Sequence, residues 1–193
     1  MQKLDLEIPD WLKSDVAQFQ QTRWLKGRSK YRHCRAIYFG TADAFNAGKK
    51  KPIEYAAGSR MFPEFQKRLL EWIGSVAPTA VFNRIVMNIY DVGESMGGHT
   101  DGNDEQNSVQ FVARWKTADC QGGQLWTEGG EADAGCFWVD GNQRHGVHVV
   151  ERGQMFSIVT FAKNLQYSEK LLEWGFPLGH VVPKIAGNKN ESS

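Results

Sequence analysis

The sequence has few cysteines and no apolar run long enough to span a membrane. Residues 1–11 contain no basic segment followed by an apolar stretch, so they do not have the pattern of a secretion signal. Cys34, Cys120 and Cys136 form no CxxC motif and cannot all pair with one another, which indicates reduced thiols that pack as small side chains. We therefore expect a soluble intracellular protein, in the cytoplasm of a bacterial or viral system or in a eukaryotic nucleus.

What the chain does contain is enough apolar mass for one domain. Hydrophobic residues make up 41% of its 193 residues and aromatic residues 12%. We expect a monomer with a single domain over 1–193. Within it, a basic region of helices, strands and a loop covers 1–79, a β-barrel core covers 80–163, and a C-terminal helix and tail cover 164–193.

The net charge of +1 conceals an uneven distribution. Residues 23–68 carry twelve Lys or Arg against three acids, a local charge of +9, so the remainder carries −8. Four of these cations alternate, so in an extended chain they form one cationic edge with aromatic residues nearby. They are Lys26, Arg28, Lys30 and Arg32. Such a cluster suits a phosphate backbone, and a solvated basic face is the alternative.

Apolar spacing predicts two helices, over 14–25 and from Pro63 to Gly74. Residues 41–59 are predicted to form a long loop, and 167–174 a terminal helix. β-forming segments separated by glycine-rich or polar turns predict strands over 35–40, 81–90, 108–116, 123–127, 136–139 and 155–161. A leading helix followed by many short strands favours a mainly β fold with flanking helices (α+β). The expected architecture is a double-stranded β-helix, the jelly-roll barrel shared with cupins.

Metal-binding chemistry is indicated by the segment Gly97-Gly98-His99-Thr100-Asp101. Side chains at i and i+2 of a strand point to one face, so His99 and Asp101 can converge on one point. A second histidine from a distant strand would complete the two-histidine, one-carboxylate set that holds non-haem Fe(II) and leaves one coordination face open. His145 and His148 compete for this place. A bare His-x-Asp is common by chance, and an ordinary polar loop is the alternative.

Five motifs within roughly 81–163 carry a resemblance to a known family. They are Asn88-Ile-Tyr90, Gly98-His99-Thr-Asp101-Gly-Asn103-Asp104, Gly122-Gly123-Gln-Leu125-Trp126, Val139-Asp140-Gly141 ahead of His145, and Phe156-Ser157-Ile-Val-Thr-Phe161. Together they resemble the Fe(II)/2-oxoglutarate dioxygenase superfamily. Within it, the second, third and fourth motifs resemble the branch of ten-eleven translocation and J-binding proteins, which oxidises the 5-methyl group of pyrimidines in DNA. Asn-x-Tyr is also similar to the AlkB-type nucleic-acid demethylases.

The resemblance implies roles for individual residues, with Fe(II), 2-oxoglutarate and O2 as cofactor and co-substrates. His99, Asp101 and His145 would be the iron ligands. His145 is preferred because the family places a glycine and then Phe-Ser after its distal histidine, as this sequence does. The groups implied to contact 2-oxoglutarate are those of Asn88, Tyr90 and Ser157. Asn103 and Asp104 would orient the base or a water molecule, or simply form a turn after Gly102.

At one motif the sequence departs from the family pattern. The family has Arg-x-Ser, whose guanidinium pairs with the distal carboxylate of 2-oxoglutarate, and this chain has Met155-Phe156-Ser157. A buried carboxylate without a cation is costly, so another base must substitute, or the co-substrate differs, or oxidation is lost. The best substitute is Arg114, thirteen residues after Asp101, where related JmjC-type hydroxylases have a lysine at similar spacing. Arg84 and Arg152 are weaker candidates, and a surface charge is the alternative for each.

The leading hypothesis is an oxygenase that hydroxylates 5-methylcytosine, or thymine, in DNA. The target nucleotide must then be flipped out of the duplex, and Lys26, Arg28, Lys30 and Arg32 are candidates for gripping the phosphates. Two alternatives stay open, because fold analogy alone does not separate them. One is a hydroxylase of a protein side chain or small molecule. The other is a non-catalytic binding module that lost co-substrate binding, which Met155 allows.

Overall fold

The computed structural model describes residues 1–20, 25–26, 32–40, 61–75, 84–101 and 109–161. The loop predicted over 41–59 and the helix predicted over 167–174 lie outside these residues. Within the described ranges, no helix is long and apolar enough to cross a membrane. All three cysteines are described, and each is buried and outside any disulfide, as the sequence indicated.

Two helices are described, α1 (Asp10–Phe19) and α2 (Pro63–Gly74). Proline suits the first turn of α2 because its missing N–H would have no partner there. One face of α2 buries Phe65, Leu69 and Ile73, at positions i, i+4 and i+8 of a single apolar stripe. The prediction for α2 is confirmed.

The helix predicted over 14–25 is wrong in its boundaries, because α1 begins at Asp10 and ends at Phe19. The chain turns into α1 after Pro9, whose carbonyl accepts the backbone N–H of Leu12 at 3.0 Å. Leu25 is a strand residue paired with Ala36, so sheet pairing there overrides the helical spacing.

Fourteen strands occur in the described part of the chain. They are β1 (Gln2–Leu4), β2 (Leu25–Lys26), β3 (Arg32–His33), β4 (Arg35–Gly40), β5 (Arg84–Tyr90), β6 (Ser95–His99), β7 (Val109–Lys116), β8 (Gln121–Gly122), β9 (Leu125–Thr127), β10 (Gly130–Ala132), β11 (Gly135–Asp140), β12 (His145–Val147), β13 (Val150–Arg152) and β14 (Met155–Phe161).

These strands form two antiparallel sheets and one small pair. The larger sheet has the order β1-β11-β7-β14-β5-β4-β2, the smaller has the order β10-β9-β12-β6-β3, and β8 pairs with β13. From β5 to β14 the chain passes back and forth between the two sheets, which is the path of a jelly-roll, double-stranded β-helix. The predicted mainly β fold with flanking helices is therefore confirmed.

Successive side chains along the strands of the larger sheet point to opposite faces, and each face packs into a different apolar cluster. Odd-numbered residues of β5 and β7, such as Met87 and Phe111, pack against α1 and α2. The opposite face of the same sheet packs against the smaller sheet through a second apolar cluster. That cluster includes Tyr90, Val112, Phe137, Val139, Met155, Met96, Leu125 and Val147. The predicted residues His99, Asp101 and His145 line this inter-sheet space.

Candidate metal centre

The structure brings three of the predicted site residues together at one end of the inter-sheet space. His99 ends β6 and His145 begins β12, and the two are direct partners in the sheet register. Asp101 lies two residues beyond the end of β6. Its carboxylate lies 3.3 Å from Nε2 of His145 and 3.7 Å from Nε2 of His99. Ligand atoms of all three residues lie within 4.8 Å of one another, close enough to share one metal ion.

Each imidazole is oriented by a backbone carbonyl two residues earlier. His99 Nδ1 lies 2.8 Å from the carbonyl oxygen of Gly97, and His145 Nδ1 lies 2.9 Å from that of Gln143. A carbonyl only accepts hydrogen bonds, so Nδ1 must donate in both rings. Nε2 of each ring is thereby directed to the carboxylate, which is the arrangement that metal-binding histidines need.

Asp101 is held through both its backbone and its side chain. Its N–H donates to the carbonyl of Gly141 at 2.9 Å, and its Oδ2 accepts a hydrogen bond from Nε2 of Gln110 at 2.5 Å. Gln110 is buried on β7, in the sheet opposite the two histidines. Sequence reasoning missed Gln110, because a single glutamine in a strand gives no local signal and its partner is fixed only by the fold.

The electrostatics of the cluster favour a positive charge at its centre. Burial by itself raises the pKa of Asp101, but the hydrogen bond and charge of His145, with His99 and Gln110, lower it to about 2. Burial by itself lowers the pKa of His145, but the hydrogen bond and charge of Asp101 raise it above the usual value. Asp101 is thus ionised at neutral pH, and a proton or a metal ion can balance its charge.

His148, the competing histidine, lies away from this cluster. Its side chain is exposed, and its Nε2 lies 2.8 Å from a carboxylate oxygen of Glu131. The structure therefore groups His145, and not His148, with His99 and Asp101.

Beside the cluster lies a cavity that opens to solvent. Its apolar wall comes from both sheets and consists of Val86, Met96, Val112, Leu125, Val139, Val147 and Val159. Three predicted co-substrate residues, Asn88, Tyr90 and Ser157, also line it, and all are buried. Asn88 is the register partner of Ser157, and Ser157 is the register partner of Arg114. An amide, a hydroxyl and a guanidinium therefore form a polar row across β5, β14 and β7.

Arg114 is fully buried at the end of this row, one strand beyond the wall formed by Ser157. Nη2 donates to the carbonyl of Gly123 at 2.5 Å and Nη1 to that of Ala132 at 3.5 Å. A guanidinium has five N–H donors, and Nε of Arg114 has no partner among the described residues. Burial lowers the pKa of Arg114 to about 10, so it is cationic at neutral pH.

The other candidates for a carboxylate partner are less well placed. Arg152 is exposed and lies 3.6 Å from Asp119. The backbone of Arg84 begins β5, and its side chain lies outside the described part of the structure. Met155, which stands where the family pattern has arginine, is buried beside Tyr90 in the register.

On the outer face of the smaller sheet, the indole of Trp126 crosses the two strands that carry the histidines. Trp126 is the register partner of Gly146, which follows His145. A Cβ atom on Gly98 would lie 2.7 Å from Cη2 of Trp126, and one on Gly146 would lie 2.7 Å from Cζ2. Glycine at both positions lets the ring lie flat against β6 and β12. Trp126 thus packs on the sheet and does not line the cavity.

The predicted substrate-binding residues are only partly described. Asn103, Asp104, Arg28 and Lys30 lie outside the described residues. The backbone of Lys26 belongs to β2 in the larger sheet and that of Arg32 to β3 in the smaller sheet, so they do not share one continuous strand. β3 pairs antiparallel with β6, with Arg32 opposite Met96, so the N-terminal end of β3 lies toward His99.

Fold and site together define a class: a double-stranded β-helix protein whose inter-sheet cavity carries a two-histidine, one-carboxylate cluster able to bind a metal. No protein-family model and no curated protein matches the sequence.

Among solved structures, the chain is similar to a prolyl-4-hydroxylase of Pseudomonas putida, with 17% identity and a TM-score of 0.49 over 86% of this chain and 92% of that one. It is similar to the viral collagen prolyl hydroxylase of Paramecium Bursaria Chlorella virus-1 in its 2OG complex, with 15% identity and a TM-score of 0.47 over 82% and 93%. NgTET1 in complex with 5mC DNA has 12% identity and a TM-score of 0.44 over 81% and 69%. Likeness at this level transfers neither activity nor substrate to this chain.

Proposed function

We propose that this protein is an Fe(II)- and 2-oxoglutarate-dependent oxygenase that hydroxylates the 5-methyl group of a pyrimidine in DNA, with 5-methylcytosine preferred over thymine. One observation carries the oxygenase part. Three metal-ligand side chains and the polar groups of Asn88, Tyr90 and Ser157 line a single, otherwise largely apolar cavity, and the buried Arg114 is the register partner of Ser157.

The donor set fits Fe(II). Two imidazole nitrogens and one carboxylate oxygen form the set that non-haem iron oxygenases use, and three coordination positions then remain for other ligands. His99, Asp101 and His145 would hold the metal, and all three line the cavity. The backbone carbonyls of Gly97 and Gln143 fix the imidazole rings, which limits the reorganisation needed for binding.

The opposite part of the cavity fits a carboxylate. Burying an anion needs a cation and hydrogen-bond donors, and Arg114, behind Ser157, supplies a charge and an Nε–H without a partner among the described residues. Along β7, Arg114 is four residues from Gln110, a strand distance of about 13 Å. That separation matches a short dicarboxylate such as 2-oxoglutarate, with one end at the metal cluster and the other near Arg114. Asn88, Tyr90 and Ser157 add an amide and two hydroxyl groups along its path.

When bound, Fe(II), O2 and 2-oxoglutarate supply the oxidation: one oxygen atom becomes the hydroxyl group on the substrate carbon, and the other enters succinate as CO2 is lost. The protein's own contribution is positioning and exclusion of water. The valine-rich wall keeps water from the reacting groups, and the polar row aligns the co-substrate.

DNA is the proposed substrate because of the basic region over 23–68, whose charge of +9 contrasts with −8 elsewhere. β3, at the end of its alternating cations, lies beside β6, the strand that ends at His99. We infer that cations of this region grip phosphates while a flipped base enters the cavity.

The test is an anaerobically prepared Fe(II) protein, started with oxygen, on DNA with and without 5-methylcytosine and with and without 2-oxoglutarate. We expect hydroxymethylated base in the digested nucleosides, measured by mass spectrometry, and an equal amount of succinate. Oxidised base without 2-oxoglutarate would indicate another reductant. Bound iron with no modified base would contradict the DNA assignment and favour a protein or small-molecule hydroxylase, or a binding module if no succinate forms with any substrate.

A further inference from the structure

We propose that Gln110 is a positioning residue of the metal centre, whose side-chain amide holds the Asp101 carboxylate where it converges with His99 and His145. The inference deepens the proposed function and rests on the cluster's binding a metal. It does not depend on which substrate is oxidised.

Gln110 has the placement that this role needs. It lies on β7, between β11 and β14 in the larger sheet, and its backbone is the register partner of Val139 in β11. Only 2% of its surface is exposed, and its side chain lines the cavity. A buried side chain on an interior strand loses little further freedom when it donates to Asp101, so the 2.5 Å hydrogen bond is well fixed.

The three ligands differ in how they are oriented. Both histidines are fixed by carbonyls of their own chain segment, two residues away. Asp101 follows the end of β6, and no backbone group of its own segment is recorded as a partner of its carboxylate among the described residues. Besides the two histidines with which it would share the metal, its side-chain partner is Gln110, from the opposite sheet. Gln110 therefore links the metal-binding end of the smaller sheet to the core of the larger one.

The chemistry of the amide is suited to this position. Ionised Asp101 only accepts hydrogen bonds, so the amide must present Nε2 to it and direct Oε1 elsewhere. A neutral donor orients the carboxylate and leaves its charge available to a metal. Lysine or arginine in the same place would put a second cation beside the metal and oppose its binding.

The test compares Gln110→Met with a matched control, Gln154→Met. Methionine fills a similar volume and removes the donor in both. Gln154 Nε2 donates to Asp91 at 2.7 Å, so the control loses the same kind of bond away from the cavity. With Co(II) as probe, measured by calorimetry without turnover, we expect Gln110→Met to bind roughly 10- to 100-fold more weakly than the unaltered protein. Gln154→Met should bind within about twofold of it, because outer-shell effects are local to the metal's partners.

Equal Co(II) affinity in Gln110→Met and the unaltered protein would overturn the proposal, because a residue that merely fills space is replaced adequately by methionine. Gln110→Asn is a second test, because it keeps the amide but shortens the side chain by one methylene group. It should also weaken Co(II) binding. Thermal unfolding of the metal-free variants establishes that each is folded. If the unaltered protein binds no Co(II), the metal centre of the proposed function fails as well. If it binds and the variants bind equally, only the role of Gln110 fails.

Discussion

His145 and His148 lie three residues apart in opposite surroundings, one buried against Asp101 and the other exposed beside Glu131. We expect His145→Gln to weaken Co(II) binding by more than the roughly 100-fold that marks the upper range for an outer-shell partner. His148→Gln should leave it unchanged, because its ring does not reach the cluster. Calorimetric titration of both variants checks this, and weakened binding in His148→Gln alone would reverse the ligand assignment.

Arg114 is the residue on which co-substrate binding is expected to depend. Arg114→Met removes a charge-assisted pair worth about 1.5–3 kcal/mol, so the KM for 2-oxoglutarate should rise roughly 10- to 100-fold. Arg114→Lys keeps the charge and should retain part of the affinity. Succinate formation against 2-oxoglutarate concentration measures both, with the exposed Arg152→Met as the control. Because Arg114 also bonds two backbone carbonyls, lower thermal stability with an unchanged KM would assign it a structural role alone.

The His145–Asp101 pair makes the stability of the metal-free protein depend on pH. Because the pKa of Asp101 is lower in the folded than in the unfolded protein, ionised Asp101 stabilises the fold above its unfolded-state pKa of about 4. This contribution is lost as the pH falls towards the folded-state pKa. Because the pKa of His145 is higher in the folded than in the unfolded protein, protonated His145 stabilises the fold below its unfolded-state pKa of about 6.5. This contribution is lost as the pH rises through the folded-state pKa. The pair therefore stabilises the fold most between about pH 4 and 6.5.

A metal must displace the His145 proton, so Co(II) affinity should rise with pH as that proton is lost. Thermal unfolding from pH 4 to 8 measures the stability of the metal-free protein, and calorimetry over the same pH range measures its Co(II) affinity. His145→Gln should flatten both dependences. A metal-free protein that gains stability relative to His145→Gln as the pH rises above neutrality would contradict the assignment.

Local pattern indicated only that His99 and Asp101 can point to one face, because side chains at i and i+2 do so wherever the strand lies. The pairing with His145 needed the family motifs, since forty residues separate the two segments. Gln110 could not be predicted, because its partner is set by how the two sheets stack. The unused N–H group of Arg114 is likewise visible only once its carbonyl partners are known.

At the scale of elements, β6 and β12 carry the two histidines, and Trp126 lies across both from outside. Gly98→Ala should destabilise the protein by about 1–3 kcal/mol through overpacking, because its Cβ would meet the side chains of Trp126 and Arg144. In a Trp126→Ala background the same change should cost less. A Cβ on Gly146 would also lie 2.6 Å from the backbone oxygen of Met96, so Gly146→Ala should stay costly in that background.

Denaturant unfolding of the four Gly98 and Trp126 combinations measures this coupling as a double-mutant cycle. Co(II) affinity should fall with stability in Gly98→Ala, because the clash displaces the residue beside His99. Additive effects for Gly98 and Trp126 would show that the indole does not press on this strand.

Strong β patterns set the sheet elements that sequence reasoning found, such as β14, predicted and observed over Met155–Phe161. Several of the shortest strands were not predicted. β12 has three residues, and β2 and β3 have two each, too few for a period to show. The predicted helix over 14–25 extended too far, because apolar spacing does not reveal that Leu25 pairs with β4. Short elements thus depend on their neighbours in the sheet more than on their own sequence.

At the scale of the whole molecule, charge separation is the feature on which the choice of substrate depends. The region over 23–68 carries +9 and the rest −8, so an anionic polymer should meet the protein in one orientation. This charge separation is a property of the sequence, because most of the region lies outside the described residues. The structure adds that the last of the alternating cations belongs to a strand beside β6.

Neutralising the alternating cations should therefore weaken DNA binding without changing the metal centre. The variant replaces Lys26, Arg28, Lys30 and Arg32 with glutamine, and the control replaces four cations outside the region, Lys3, Lys13, Lys116 and Arg152. The slope of log affinity against log salt should fall by roughly 0.9 for each phosphate that the variant no longer neutralises, and only in the first variant. Fluorescence anisotropy with duplex DNA measures the slope, and Co(II) affinity should match that of the unaltered protein. An equal decrease of this slope in both variants would mean that total charge, and not this region, attracts DNA. An unchanged slope in both variants would favour a substrate other than nucleic acid.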